Sequence, residues 1–306
     1  GVMSRTISIR DYAYTYLCKT SSRVSLDLLQ AVDGPVGRCF ALITPDGERT
    51  FAINEGKMNA LRPDSIPEAV FPQASALVLT SYLLRCGPDD PMPLATKQAI
   101  QYAKKHGVPV VLTLGTRAII EEDPGMWRSF IKENVNVVAM NEEEGAALTR
   151  IEDPLMAADE ALAWCDLVLC TAGPLGLYMA GFTDDEVKRK TRHPLLPGSI
   201  PEFNRYEFSR PMLESKCKKP VRVYAFIAPF EGGPQRIQNT NGAGDGALSA
   251  LLHDMAANRH HRSNIPKSEK HVRSFLTYSS FSQVCKYANR VAYEVLSQHS
   301  PRLSKG

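Results

Sequence analysis

Apolar residues gather in five short runs, at 76–79, 108–114, 135–140, 167–170 and 221–227, each rich in Val or Leu and nearly free of charge. Such runs, without strict alternation, suit strands covered on both faces. Between them the period changes. Over 92–106, Leu94, Ile100 and Ala103 fall on one side and Gly107 offers a C-cap, which predicts a helix. Over 141–149, Asn141 can cap a helix whose first turn holds Glu142, Glu143 and Glu144, where the dipole favours carboxylates. Strands alternating with helices predict an α/β fold, a mostly parallel central sheet between helix layers.

Three stretches break this rhythm. Residues 37–54 read as a hairpin around Thr44-Pro45-Asp46-Gly47, a small β lid beside the α/β core or a plain surface hairpin. Residues 183–220 are rich in Lys, Arg, Pro, Asp and Glu with weak periodicity, and are expected to form a surface insertion. Residues 257–273 are basic and polar and read as a loop. The rest forms one domain over 1–306.

Composition narrows the function classes. Hydrophobic residues make up 43% of the 306 and charged residues 23%, which argues against wholesale disorder. The net charge of +3 gives no reason to expect nucleic-acid or membrane binding. The longest apolar candidate, 161–182, contains Asp166, three Gly and a Pro, and reads as two strands and a turn. Seven cysteines at irregular spacing, without a C-x-x-C, give neither a disulfide framework nor a zinc site, and suit free thiols in a reducing compartment such as the cytoplasm. The chain opens Gly1-Val2-Met3, without an initiator Met at position 1.

The sharpest local signal is Asn239-Thr240-Asn241-Gly242-Ala243-Gly244-Asp245. It follows an apolar strand and precedes 246–258, where Ala247, Leu248, Leu251, Leu252 and Met255 recur at helical spacing. A glycine-rich turn opening a helix offers unpaired N–H groups and the positive end of the dipole, which suits an anion. An acidic residue beside such an anion hole makes sense if it deprotonates a hydroxyl attacking phosphorus. The bland alternative is a helix start with Asp placed for the dipole. Gly-Ala-Gly-Asp arises by chance in roughly one chain of this length in two hundred.

Two further groups fit the same reaction. Asn141 and Glu144, at i and i+3 after an apolar strand, could act through water on a divalent cation and a phosphate; alone, they read more simply as a helix cap. Thr171-Ala172-Gly173-Pro174-Leu175-Gly176 also follows an apolar strand and could bring hydroxyl and backbone donors to a nucleotide, although most such turns are only turns.

In chain order, N-x-x-E, T-x-G-x-x-G, N-T-x-G-A-G-D and a late Ala288-Asn289 pair resemble the ribokinase-like sugar and nucleoside kinases. The hairpin with Asp46-Gly47-Glu48-Arg49-Thr50 resembles that family's lid. Residues 32–40, 79–83, 239–245 and 283–303 look like the purine-nucleoside branch. The resemblance implies a three-layer α/β/α fold and transfer of the ATP γ-phosphate to the 5′-hydroxyl of inosine or guanosine, with Mg²⁺. It implies Asp245 as base, Gly242, Ala243 and Gly244 as anion hole, and Asn141 and Glu144 at the metal and phosphate. It further implies Thr171, Gly173, Gly176 and Asn289 at ATP. Arg85 resembles a residue reaching the nucleoside or its phosphate; a solvated Arg past a strand end is the plain alternative. Homodimer formation is left open.

Two departures stand out. Asn239 takes a position where the family usually has Asp. The family's opening strand, with an Asp for the ribose hydroxyls and then a Gly-Gly motif, has no counterpart here, so the chain is expected to lack an N-terminal segment and part of the nucleoside wall. A catalytically impaired ATP-binding fragment and a related sugar kinase are therefore the alternatives. A dinucleotide-dependent oxidoreductase is disfavoured, because G-A-G-D lies late in the chain and lacks the G-x-G-x-x-G spacing.

Overall fold

Val110, Val111 and Leu112 are all wholly buried, so consecutive side chains on opposite faces of one strand are both covered. That strand, β6 (Val110–Thr113), lies inside a six-stranded sheet with β5 (Leu77–Thr80), β7 (Val137–Asn141), β8 (Leu167–Thr171), β9 (Leu177–Asp184) and β10 (Pro220–Ile227). This is a computed structural model, and the residues it describes are 2–4, 25, 27–43, 49–191, 203–233, 235, 237–238 and 240–299. The sheet order is β10-β9-β8-β7-β6-β5. Strands β5 to β8 run parallel, and β9 and β10 are antiparallel to their neighbours. The turn at 172–176 is too short for a parallel crossover, which forces the reversal at β9.

Helices cover both faces. Helix α1 (Pro91–Lys105) buries Met92, Ala95, Ala99, Ile100 and Ala103, while Leu94 lies off this stripe and is exposed, contrary to the sequence reading. Helices α2 (Arg117–Glu122), α3 (Pro124–Asn134), α4 (Glu142–Thr149) and α5 (Pro154–Ala161) fall between the central strands. Helices α6 (Ala243–Asn264) and α7 (Phe281–Leu296) share one core with Val111, Val137, Leu167 and Val223. Alternate residues Val138, Val168 and Ala180 turn to the other face, where α4 and α5 meet β7, β8 and β9. Each such aliphatic side chain contributes about 1.5–3 kcal/mol by leaving water. The three-layer α/β/α architecture is as expected.

The described residues fall into two compact units, one within 2–70 and 83–102, the other within 71–82 and 103–299. The first contains two two-stranded sheets. In one, β1 (Val2–Ser4) pairs with β2 (Gln30–Val32) in parallel; in the other, β3 (Arg38–Ile43) pairs with β4 (Arg49–Asn54) antiparallel. The expected hairpin is therefore present, while its Pro-Asp-Gly turn and Asn239 lie outside the described residues.

Two polar stretches differ from their sequence reading. The described part of 183–220 is not confined to the surface: Met212 is wholly buried, Phe203, Tyr206 and Ser209 are buried, and Phe182 and Met212 form a β-bridge. Its charges misled because they satisfy backbone. Buried Asp184 accepts the Lys218 N–H at 3.0 Å, and three such N–H groups, foremost that of Lys218, hold its carboxyl below the usual carboxylate range. Helix α6 continues through 257–264, read from sequence as loop, because buried Asn258 accepts from Arg210 and donates to the Phe275 carbonyl, each at 2.7 Å. The six described cysteines are free thiols, three of them buried. Among the described residues no helix is long and apolar enough to cross a membrane.

Candidate active site

One row of residues crosses four strands at the same end of the sheet. Asn141 pairs with Thr171, Thr171 with Leu177, and Leu177 with Ile227. Parallel strands end together there, which is where open α/β sheets place their ligands.

Asn141 ends β7 and caps α4. Its Oδ1 accepts the Glu144 N–H at 2.7 Å, and Glu144 Oε2 accepts the Asn141 N–H at 3.0 Å. Asn141 Nδ2 also approaches Glu144 Oε1 at 3.3 Å. This reciprocal capping box accounts for both residues as structure. It does not account for the electrostatics. Burial, then the like charges of Glu142, Glu143 and Asp245, pushes the Glu144 carboxyl up to about 7. Asp245, from the glycine-rich turn, is the least of these like charges on Glu144.

Gly242 is the N-cap of α6 at φ +81°, a left-handed conformation that disfavours a side chain, and as a glycine it offers no side-chain cap of its own. A Cβ at Gly244 would meet nothing within 4 Å, so the absence of bulk there serves no packing partner and leaves open space over the helix start. Asp245 is exposed in the first helical turn.

The T-x-G-x-x-G segment forms a tight turn between β8 and β9. Gly173 takes φ +47°, and its missing Cβ would stand 3.5 Å from Glu142 Oε1. Gly176 takes φ +108°, and a Cβ there would collide with the Ile227 carbonyl. Next to Ile227, the Ala228 carbonyl accepts a hydrogen bond from Asn289 Nδ2 at 2.6 Å. A cavity of about 480 Å³ adjoins this contact, lined by Ile227, Ala228, Phe230, Tyr287 and Asn289 among others. The turn, the end of β10 and α7 thus meet through backbone carbonyls. Sequence reasoning missed Ile227 and Ala228, whose contribution is main chain and leaves no side-chain signal. It also read Glu142 and Glu143 only as dipole partners.

Arg85 belongs to the other unit, where its guanidinium pairs with Glu55 at 2.8 Å. Among the described residues no group of three or more His, Cys, Asp or Glu is disposed to hold a metal directly. Both Glu144 oxygens serve the cap, and the excess of carboxylates around them fits a hydrated cation carried on phosphates, the usual habit of Mg²⁺.

The chain is 66% identical to guanosine-inosine kinase of Escherichia coli strain K12 over all 306 residues, spanning 70% of that protein. Adenosine kinase from Sinorhizobium meliloti superposes with a TM-score of 0.61 at 20% identity, over 90% of this chain and 66% of that one. Ribokinase from Arabidopsis thaliana, complexed with ribose and ATP, gives 0.56 at 18% identity, over 90% and 68%. At these identities the two structures speak for the fold alone. Residues 20–194 match the pfkB family of carbohydrate kinases, and the chain belongs to that family.

Proposed function

We propose that the chain transfers the γ-phosphate of ATP to the 5′-hydroxyl of a purine nucleoside, inosine or guanosine. The observation that carries this reading is Asp245 in the first turn of a helix whose start, at Gly242 and Gly244, is free of side-chain bulk. Identity to guanosine-inosine kinase along the whole chain favours a purine nucleoside over a simple sugar.

The chemistry follows from the charges. The Asp245 carboxylate accepts the proton of the 5′-hydroxyl, the oxygen attacks the γ-phosphorus, and the bond to the β-phosphate oxygen breaks, releasing ADP. The N–H groups of Gly242, Ala243 and Gly244 hold the γ-phosphate oxygens as charge shifts onto them. Thr171, Gly173, Gly176 and Asn289 serve the rest of the nucleotide. Mg²⁺ bound with ATP would neutralise phosphate charge, and Asn141 and Glu144 would hold it through water. Arg85 serves the nucleoside side. The reading includes a cytoplasmic setting, supported by the free thiols, and a homodimer, supported by exposed apolar residues on the β3–β4 hairpin.

The test is Asp245→Asn, which keeps the shape and removes the base. Nucleoside-dependent ADP formation should fall by about 10²–10⁴-fold, with ATP binding retained. Undiminished turnover would take Asp245 out of the mechanism. A second reading, an ATP-binding fragment without catalysis, follows from the 70% coverage of the relative. It expects ATP binding by calorimetry but no ADP release with inosine, and any inosine-dependent release ends it.

A further inference from the structure

A second cavity, of about 950 Å³, takes no part in this chemistry. It lies past the far end of β9. Leu177, in the reaction row, is separated from Asp184 by the length of that strand, roughly 23 Å at 3.3 Å per residue. The lining begins at Glu186 and includes residues from the 208–210 segment, the 269–278 segment and the first turns of α7.

Its charge is one-sided. Lys188, Arg189, Arg210, Lys270 and Lys286 line it against two carboxylates, Glu186 and Glu269. Glu186 is already engaged by Lys218 and Arg273, and Lys188 is held by Asp185. Arg210 spends its donors on the carbonyls of Lys270 and Thr277 and on Asn258, with Phe275 stacked on it at 4.2 Å. Arg189, Lys270 and Lys286 form no ion pair among the described residues. The crowding bears on how these groups ionise. Burial pushes the Arg210 guanidinium down to about 10; Asp254 opposes this, and the like charges of Arg262 and Arg189 add to it. Burial, then Arg262, His261 and Arg210, holds the His271 imidazole below its usual range. His271 sits between two lining residues, and its Nδ1 is buried without a partner.

Other features suit an anion that also has an apolar part. The first turn of α7 brings Ser280 and Ser282 to the wall, with the positive end of a sixteen-residue helix. Phe208 supplies an apolar surface. The volume matches sites that enclose a small organic ligand.

We infer that this cavity is a binding site for a small phosphate-bearing molecule, separate from the reaction site, with Arg189, Lys270 and Lys286 taking the phosphate oxygens. The site shares Lys286 and Gln283 with the cavity beside Asn289, so its occupant touches the helix that carries Asn289.

The experiment is calorimetric titration of the whole chain at low ionic strength with two probes, inorganic pyrophosphate and guanosine 5′-monophosphate. The comparison protein is the double variant Arg189→Ser/Lys270→Ser; both positions are exposed, and equal melting temperatures check the fold. The variant should bind pyrophosphate at least about ten-fold more weakly, a difference of about 1.4 kcal/mol, with nucleoside phosphorylation unchanged in its absence. Tighter binding of the monophosphate than of pyrophosphate, lost in the same variant, assigns the apolar wall to a base; equal binding assigns the site to free phosphates. Identical isotherms in the two proteins, or no binding of either probe by the unmodified chain, overturn the proposal. The outcome is independent of Asp245, because Asp245→Asn leaves these cations in place.

Discussion

Glu144 answers two demands with one carboxyl. As the third residue of α4 it must accept the Asn141 N–H, and as a buried group ringed by Glu142, Glu143 and Asp245 it resists ionisation. Its folded pKa of about 7 lies above the ordinary 4.5. An acid raised on folding stabilises the protein below its unfolded pKa, and that stability is lost as pH rises through the folded one. Glutamine keeps the capping box, since its side-chain oxygen accepts equally well, but carries no charge. Melting curves in EDTA should therefore show Glu144→Gln matching the unmodified chain near pH 4 and exceeding it above pH 7, by up to about 3 kcal/mol. Phosphorylation by the same variant should drop, because the excess charge that suits a hydrated cation is reduced. A variant less stable at high pH than the unmodified chain would show that the carboxylate is neutralised by a partner in the fold.

Helix starts are the elements whose sequence signal and energetics coincide most closely. Asp123-Pro124 and Asp153-Pro154 each place a carboxylate before a proline at the first helical position, and each Oδ1 accepts an N–H at 2.8 Å, from Met126 and Met156. Asp123→Ala and Asp153→Ala should each lower stability by about 1 kcal/mol in denaturant melts, and the double variant by the sum, since the caps share no partner. A loss near zero for either would mean that water replaces the cap. The same level explains what was legible. The inner strands β6, β7 and β8 announced themselves because apolar residues filled both faces, the edge strands β5 and β10 as apolar runs that are only partly covered, and the start of α4 because Asn141 and Glu144 stand three apart. The glycine-rich turn was legible because backbone geometry dictated Gly242, at a positive φ. The link from Asn289 to the Ala228 carbonyl was not, because the acceptor is main chain and any residue could supply it. The packing of Met212 was hidden for a different reason: one buried methionine sits among charges whose task is to satisfy the ends of β9 and β10.

At the scale of the whole molecule, the β3–β4 hairpin has more apolar surface than it can bury. Its register sets Phe40 opposite Ala52 and Leu42 opposite Thr50 on one face, with Phe51 and Ile53 on the other. All four large side chains are about half exposed or more, at 57, 59, 52 and 47%. A two-stranded ribbon has no interior of its own, so apolar residues on both faces call for something to cover them. A second copy of the chain carries the same surface at the same concentration, which makes self-association the cheapest cover to test. Sedimentation velocity should show association that grows with protein concentration, and Phe40→Lys with Phe51→Lys, one charge on each face, should leave a single slow species. The melting temperature should stay within a few degrees, because neither side chain belongs to the sheet core. If both proteins sediment as the same concentration-independent monomer, the hairpin does not join copies of this chain, and its apolar faces serve contacts with another molecule.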